Sequence, residues 1–166
     1  KDVNNHTKQI INRLQNNGYK IVYNDNMNIT FIYIKYCVTN TLIPKNAVYF
    51  SQTGEDLFIY RNFINKYTKD GIFLELGACD GILYSNTMFF EKYLGFRGIL
   101  IEPVKEFYDR LIKNRHTAIC FNNVISTNTT DVDILVNGAT SGIKESMSKK
   151  SIEHWHSRST LRKVKS

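Results

Sequence analysis

Residues 74–81, "LELGACDG", decide the fold of this chain. They place one acid, Glu75, inside an apolar run, and a second, Asp80, between two glycines that stand four residues apart. A short apolar run that enters a glycine turn is typical of a buried strand followed by a helix. The turn therefore predicts a ligand that interacts with carboxylates and with a closely approaching backbone.

Strand-like and helix-like segments alternate on both sides of this turn. The predicted helices cover residues 53–67, 86–94 and 103–115, and the predicted strands cover residues 72–76, 98–102, 118–125 and 131–136. Thr53 and Ser85 are the expected N-caps, with Asp56 at the N3 position, while Pro103 begins the third helix and Gly95 ends the second. The order strand–helix–strand–helix–strand indicates an α/β protein with a doubly wound parallel sheet.

The first 47 residues carry no recognisable chemistry and are predicted to be an N-terminal extension. Residues 6–16 have apolar side chains at helical spacing. Residues 19–23 and 28–36 are β-branched and aromatic, and they flank the turn-like sequence "NDNMN". The extension is therefore predicted to contain one helix and a β-hairpin.

The composition is that of an ordinary globular domain. The 166 residues are 42% hydrophobic, which is enough for one domain with its own core. No apolar run approaches the roughly 18 residues of a membrane span, and the first residues lack a signal-peptide core. Three widely separated cysteines without a CxxC pair favour reduced thiols in a cytoplasmic protein. The missing initiator methionine suggests an excerpt of a longer chain.

The positive charge is concentrated at the C-terminal end. The formal net charge is +7, and residues 144–166 contribute +5 of it, from seven Lys or Arg and two Glu. The core at residues 48–143 and the extension together are close to neutral. Such a basic segment is most often a solvated face or a loose end, and an anionic partner such as a nucleic acid or a phosphorylated glycan is the alternative.

The turn after the first core strand argues against a dinucleotide. In an open parallel sheet, ligands bind at the carboxyl ends of the strands, where glycine lets backbone N–H groups approach a bound molecule. A dinucleotide fingerprint reads GxGxxG, but Cys79 replaces its middle glycine, and Asp80 adds negative charge where a pyrophosphate would lie. S-adenosylmethionine, with a sulfonium, an ammonium and a ribose diol, suits the carboxylates better. Glu102 ends the second strand and can accept both ribose hydroxyls.

Short motifs continue from residue 51 to residue 143. They are Ser51-Gln52 with Gly54-Glu55-Asp56, the glycine turn, Ser85-Asn86-Thr87, Glu91, Gly95, Gly98, Ile101-Glu102-Pro103, "FNNVIS" at 121–126 and "SGI" at 141–143. In this order and spacing they resemble the FkbM-like family of S-adenosylmethionine-dependent methyltransferases. The resemblance implies a Rossmann-like sheet and methyl transfer to a hydroxyl, often that of a sugar or glycan.

The same resemblance implies cofactor contacts by position. The residues concerned are Gln52, Glu55, Asp56, Glu75, Gly77, Ala78, Asp80, Gly81, Asn86, Thr87, Glu102 and Asn123. Residues 75–81 would wrap the methionine end, with Asn86 and Thr87 closing over it. Glu102 would hold the ribose, Asn123 would reach the adenine edge, and the acids before the sheet would pack over the pocket.

Other reactive side chains have simpler structural interpretations. Asp56 is expected to cap the first core helix, and Cys79 is expected to fill a small space in the turn. His154 and His156 stand two residues apart and would point apart on a helix, so we interpret them as surface or packing residues. No catalytic base and no metal ligand are assigned.

The resemblance also implies parts that this sequence lacks. A complete fold of this type has seven strands, and only its N-terminal half is recognisable, which would leave strand 72–76 as an unpaired apolar edge. The alternative function is a truncated or degenerate methyltransferase-like module that binds a partner through its basic segment. A nicotinamide oxidoreductase is disfavoured by the missing middle glycine.

Overall fold

The computed structural model describes residues 43–64, 70–127 and 130–166, and the backbone of residues 20–24 and 29–33. The strands are β1 (Lys20–Asn24), β2 (Ile29–Tyr33), β3 (Ile72–Leu76), β4 (Arg97–Ile101), β5 (Ile119–Phe121), β6 (Val132–Val136), β7 (Gly142–Ile143) and β8 (Thr160–Val164). The helices are α1 (Glu55–Phe63), α2 (Met88–Leu94), α3 (Lys105–Asn114) and α4 (Lys149–Trp155), with a 3₁₀ turn at Lys144–Ser146. The predicted helix at residues 6–16 lies outside the described residues. None of the helices in the described ranges is long and apolar enough to cross a membrane.

The main sheet has the strand order β1-β2-β3-β4-β5. Strands β3, β4 and β5 are parallel, and β1 and β2 form the predicted antiparallel hairpin. The prediction that strand 72–76 is an unpaired edge is wrong, because β2 pairs antiparallel with β3 and places Thr30 opposite Glu75. The chain is thus an α/β protein in which the N-terminal hairpin extends the sheet.

Helices α1, α2 and α3 cover one face of the parallel strands. The buried cluster on this face includes Ile59, Phe73, Phe89, Leu100 and Leu111. The opposite face carries the alternate strand positions, and its exposed side chains are Ile72, Ile99, Ile119 and Phe121. Because side chains alternate along a strand, the two sets define the two faces. These three helices therefore form a single layer on one face of the sheet, and the second helical layer of the predicted doubly wound sheet is not among the described residues.

The basic C-terminal segment is folded, so the interpretation as a loose end is wrong. Strand β6 pairs antiparallel with both β7 and β8 in a separate three-stranded sheet. Val132 and Ile134 of β6 pack with Val104 and Val124 in a second buried cluster. This apolar contact fixes the small sheet beside the end of β5. Arg162 of β8 lies opposite Ile134, and its side chain pairs with Glu106 of α3.

The starts of two helices differ from the predicted residues. The N-cap of α1 is Gly54, with a left-handed φ of 93°, rather than Thr53. Helix α2 begins at Met88, two residues later than predicted, but the predicted cap Ser85 still makes capping hydrogen bonds, since its hydroxyl accepts from the N–H groups of Thr87 and Met88 at 3.3 and 3.0 Å. Gly95 ends α2 as predicted, with φ 68°.

Candidate functional site

The carboxyl ends of β3 and β4 lie side by side and are joined by hydrogen bonds. The N–H groups of Gly77 and Ala78 both donate to the carbonyl of Ile101, at 2.9 and 3.1 Å. Glu102, the residue after β4, accepts a hydrogen bond from the N–H of Cys79 at 2.8 Å. The glycine turn and the acid of the neighbouring strand, which the sequence predicts to share a site, are therefore in direct contact.

The glycine turn is closed by its own backbone. Gly77 and Gly81 have φ values of 74° and 81°, which L-residues adopt only with strain, and Gly81 donates to the carbonyl of Ala78 at 2.8 Å. With Cys79 bonded to Glu102, the N–H groups of residues 77, 78, 79 and 81 all have partners within the protein. These four N–H groups are thus bonded within the protein, whereas the sequence predicts that backbone N–H groups of the turn reach a bound molecule. Without those donors the turn is poorly suited to a phosphate.

Glu102 is a buried acid at the tip of β4. Its side chain is 3% exposed, and its two oxygens accept from the N–H groups of Cys79 and Val104, each at 2.8 Å. Burial raises the pKa of Glu102 to about 7, although both hydrogen bonds act in the opposite direction. An ionised carboxylate has about four acceptor positions, and these two hydrogen bonds occupy two of them.

The pKa of Glu102 predicts a pH-dependent stability. Its folded-state pKa of about 7 lies above the ordinary value of 4.5, so this group stabilises the fold fully below about pH 4.5. That stabilisation, ~3 kcal/mol, is lost as the pH rises through about 7. In Glu102→Gln, this decrease of the free energy of unfolding with rising pH should be absent. Urea unfolding at several pH values between about pH 5 and about pH 8 would measure the slope of the free energy of unfolding against pH.

Glu106→Gln is the matched control for this pH series. Glu106 is exposed, and its hydrogen bond to Arg162 lowers its pKa, so it does not titrate in the same interval. The absolute stability of Glu102→Gln will differ, because the amide oxygen replaces only one of two acceptors. The slope is therefore the decisive quantity. Equal slopes for the unmodified chain and Glu102→Gln would show that Glu102 does not titrate there.

Glu75 binds the segment that follows the turn rather than pointing freely toward a ligand. Its buried carboxylate accepts hydrogen bonds from the Ser85 hydroxyl at 3.0 Å and the Asn86 N–H at 2.9 Å, and also from the Thr87 hydroxyl. The predicted site residues Glu75, Asn86 and Thr87 thus form one cluster beneath the turn. Glu75 positions the other two.

Asp80 also has a structural contact, but it remains half-buried at the turn. One carboxylate oxygen accepts hydrogen bonds from the N–H groups of Ile82 and Leu83, at 3.0 and 2.8 Å. Its backbone carbonyl accepts from the Asn114 amide at 2.7 Å. Asp80 therefore shapes the loop after the turn and keeps a carboxylate near the strand ends.

The acids before the sheet are bound within their own segment. Asp56 is fully buried and accepts hydrogen bonds from the N–H groups of Phe50, Ser51 and Leu57, so it ties the preceding segment to the first turn of α1 rather than capping that helix. Burial acts to raise the pKa of Glu55, but hydrogen bonds, mainly from Thr53, lower it to about 2. Gln52 is exposed. A backbone bridge between Ser51 and Tyr84 places this segment beside the loop that follows the turn.

Asn123 lies apart from the other predicted site residues. Its amide donates to the carbonyl of Ser166 at 3.4 Å, and its side chain faces an open groove of about 630 Å³ between the two sheets. The lining residues are Pro103, Val104, Lys105, Tyr108, Cys120, Phe121, Asn122, Asn123, Ile134, Arg162, Lys163, Val164 and Lys165. The groove begins directly after Glu102, so Asn123 is separated from the turn by the tip of β4.

The histidines and Cys79 have the structural roles that the sequence predicts. His156 is buried, with Nδ1 2.8 Å from the Ser159 hydroxyl, and His154 is exposed against the Trp155 ring. Burial, with the nearby acids Glu102, Glu75 and Asp80, raises the pKa of the Cys79 thiol to about 12. The thiol is therefore protonated and a poor nucleophile. Within the described ranges, no group of three His, Cys, Asp or Glu side chains is arranged to hold a metal ion.

Arg115 is the site residue that sequence reasoning missed. It follows the last turn of α3, where a basic residue normally stays exposed and interacts with the helix end. Its side chain is instead buried beneath the turn and bonded to the carbonyl of Gly81 at 3.0 Å. No local pattern marks this burial, because it depends on the distant partners that surround the guanidinium.

Comparison with protein-family models, curated proteins and solved structures gave no match for this chain. The class of protein therefore follows from its own geometry. It is an α/β protein whose parallel strands carry a glycine turn and a buried acid in contact at their carboxyl ends.

Proposed function

We propose that this chain is an S-adenosylmethionine-dependent O-methyltransferase of the FkbM-like type, which methylates a hydroxyl of a sugar or glycan. The observation that carries the proposal is the hydrogen bond between Glu102 and the backbone of the glycine turn. It places an acid that can hold a ribose beside the turn that would receive the methionine end. In this proposal β3, β4 and β5 are the first three strands of a Rossmann-like methyltransferase sheet.

The distribution of donors and acceptors supports this ligand over a nucleotide phosphate. Four N–H groups of the turn are bonded internally, while the buried carboxylate of Glu102 and the half-buried carboxylate of Asp80 lie beside it. A ligand at this edge must therefore supply donors, and a ribose diol and an ammonium do so. We assign the diol to Glu102 and the ammonium to Asp80.

S-adenosylmethionine, when bound, supplies an electrophilic methyl group that an acceptor oxygen can attack in line with the sulfonium. The contribution of the chain is to hold donor and acceptor in the reactive geometry, which supplies much of the rate. Glu75, through Asn86 and Thr87, fixes the shape of the segment next to the turn. We assign no base to the acceptor hydroxyl.

The alternative in which the basic segment binds a nucleic acid is less well supported. Three of the four cationic side chains in the groove lie in ion pairs, namely Lys105 with Asp109, Arg162 with Glu106 and Lys163 with Asp133. These pairs reduce the positive charge that the groove offers to phosphates. A salt titration of RNA binding tests the alternative, since phosphate contacts give a steep slope. A slope near zero, or no binding, would exclude it.

Ligand titration tests the proposed cofactor directly. S-adenosylhomocysteine should raise the melting temperature of the intact chain and give a calorimetric binding isotherm, because a ligand that binds only the folded state stabilises it. NAD at the same concentration should leave the melting temperature unchanged. A shift with NAD alone, or with neither ligand, would contradict the proposal.

Glu102→Ala should weaken S-adenosylhomocysteine binding by about 1.5–3 kcal/mol, because charge-assisted hydrogen bonds to the ribose are lost. The corresponding loss in affinity is about 10- to 150-fold, measured by titration calorimetry. Glu106→Ala, which removes an exposed acid four residues away, should leave the affinity unchanged. A loss of only a few tenths of a kcal/mol in Glu102→Ala would show that the acid does not touch the ligand.

A further inference from the structure

Arg115 is a charged side chain in the interior of the protein. It is 1% exposed, and its guanidinium lies over the ring of Phe73, 5.3 Å from the ring centroid. A buried cation is strongly unfavourable unless its N–H groups are bonded and its charge is balanced. The partners of Arg115 therefore indicate what the residue holds.

The guanidinium of Arg115 makes five hydrogen bonds to three separate segments. Nε and Nη2 donate to one carboxylate oxygen of Glu91 in α2, at 2.8 and 2.5 Å. Nη1 donates to the carbonyl of Gly81 at 3.0 Å and to the Ser85 hydroxyl at 3.1 Å. Nη2 also donates to the Thr87 hydroxyl at 3.0 Å. One side chain thus joins the glycine turn, residues 85–87 and α2.

Arg115 and Glu75 hold residues 85–87 from two sides. Ser85 and Thr87 are bonded to Arg115 and also to the carboxylate of Glu75, which lies 3.9 Å from Nη1. Gly81 packs on the stem of Arg115, since a Cβ at Gly81 would lie 2.6 Å from the Arg115 Cγ. Arg115 and Glu75 together therefore hold the turn and residues 85–87 in one arrangement.

We propose that Arg115 is a positioning residue that holds the glycine turn and residues 85–87 in the shape that the cofactor needs, an inference that rests on the proposed function. The planar fork of the guanidinium is essential, because it reaches Gly81, Ser85 and Thr87 at once. A lysine would keep the charge but could not reproduce this geometry. The binding groups would then lose the support that fixes them for the ligand.

Arg115→Lys tests this role with two measurements. Calorimetry should show S-adenosylhomocysteine binding weakened about tenfold or more, since small displacements of binding groups have large effects. Amide hydrogen exchange followed by mass spectrometry should become about tenfold faster or more in peptides that cover residues 77–87, while β6 and β8 keep their rates. Arg162→Lys, which alters an exposed two-bond pair with Glu106, is the matched control and should change neither quantity.

The outcomes separate positioning from stability. If Arg115→Lys lowers the melting temperature but leaves affinity and exchange at residues 77–87 unchanged, Arg115 only stabilises the fold and the proposal is wrong. If that variant does not fold, Glu91→Gln replaces it, because it leaves Arg115 in place with a weaker acceptor. In Glu91→Gln, the affinity for S-adenosylhomocysteine and the exchange rate at residues 77–87 should each change about threefold. If both stay the same, the proposal is overturned. If the unmodified chain does not bind S-adenosylhomocysteine, the proposed function fails, and exchange at residues 77–87 alone decides whether Arg115 holds this segment.

Discussion

Gly98→Ala should lower the free energy of unfolding by about 3 kcal/mol or more, although it adds a single methyl group. Gly98 lies directly opposite Phe73 in the parallel pair of β3 and β4. A Cβ at this position would lie 2.2 Å from the Phe73 carbonyl oxygen and 2.3 Å from its ring. The backbone oxygen cannot move without breaking the strand pairing, so the two strands must separate.

The loss should appear in thermal or urea unfolding as a decrease of the melting temperature by roughly 6–12 °C. Gly142→Ala is the matched control, because a Cβ there meets only the flexible end of Met147, at 2.8 Å. That variant should stay within about 1 kcal/mol of the unmodified chain. Equal stability of Gly98→Ala and the unmodified chain would mean that β3 and β4 are not paired in this register.

Gly77→Val should weaken S-adenosylhomocysteine binding more than about 100-fold. Gly77 has φ 74°, a conformation that is strongly unfavourable for a β-branched residue. Its N–H group donates to the carbonyl of Ile101, which directly precedes Glu102. A valine would displace the turn from the tip of β4 and place two methyl groups where the ligand would bind.

Calorimetry on the folded variant measures this effect, with circular dichroism as the check on folding. Gly138→Val has a comparable backbone penalty, since Gly138 has φ 57°, but it lies in the loop between β6 and β7, with no atom within 4 Å of its Cβ position. It should bind the ligand as the unmodified chain does. Unchanged affinity in Gly77→Val would place the cofactor elsewhere.

The parts of the fold that local patterns determine could be predicted from the sequence. Strand β3 matches its predicted bounds, because a short run of apolar residues that contains one acid, Glu75, leads directly into a glycine turn. The contact between Glu102 and the turn follows from a general property of parallel strands, whose carboxyl ends share one edge of the sheet. The residue types and their order are sufficient to predict both the bounds of β3 and the contact between Glu102 and the turn.

The parts that depend on distant partners could not be predicted. The sequence predicts the hairpin, but the pairing of the hairpin with β3 joins residues that are 39 to 45 positions apart in the chain. The closed turn and the burial of Arg115 likewise depend on hydrogen bonds to residues of other segments. The sequence also favours a solvated face or a loose end for the basic C-terminal segment, because its apolar residues are few. They reach the core only when β8 pairs with β6.

The direction of β2 has a practical consequence for work on this protein. Because β2 runs antiparallel to β3, its first residue, Ile29, and the partner of that residue in β1, Asn24, lie at the edge that carries the glycine turn. The N-terminal hairpin thus flanks the strand ends where substrates would arrive. A shortened chain that starts at residue 48 would lack the hairpin. The backbone of β3 would then be an unpaired edge that can associate with other molecules. Expression trials and assays should therefore retain the hairpin.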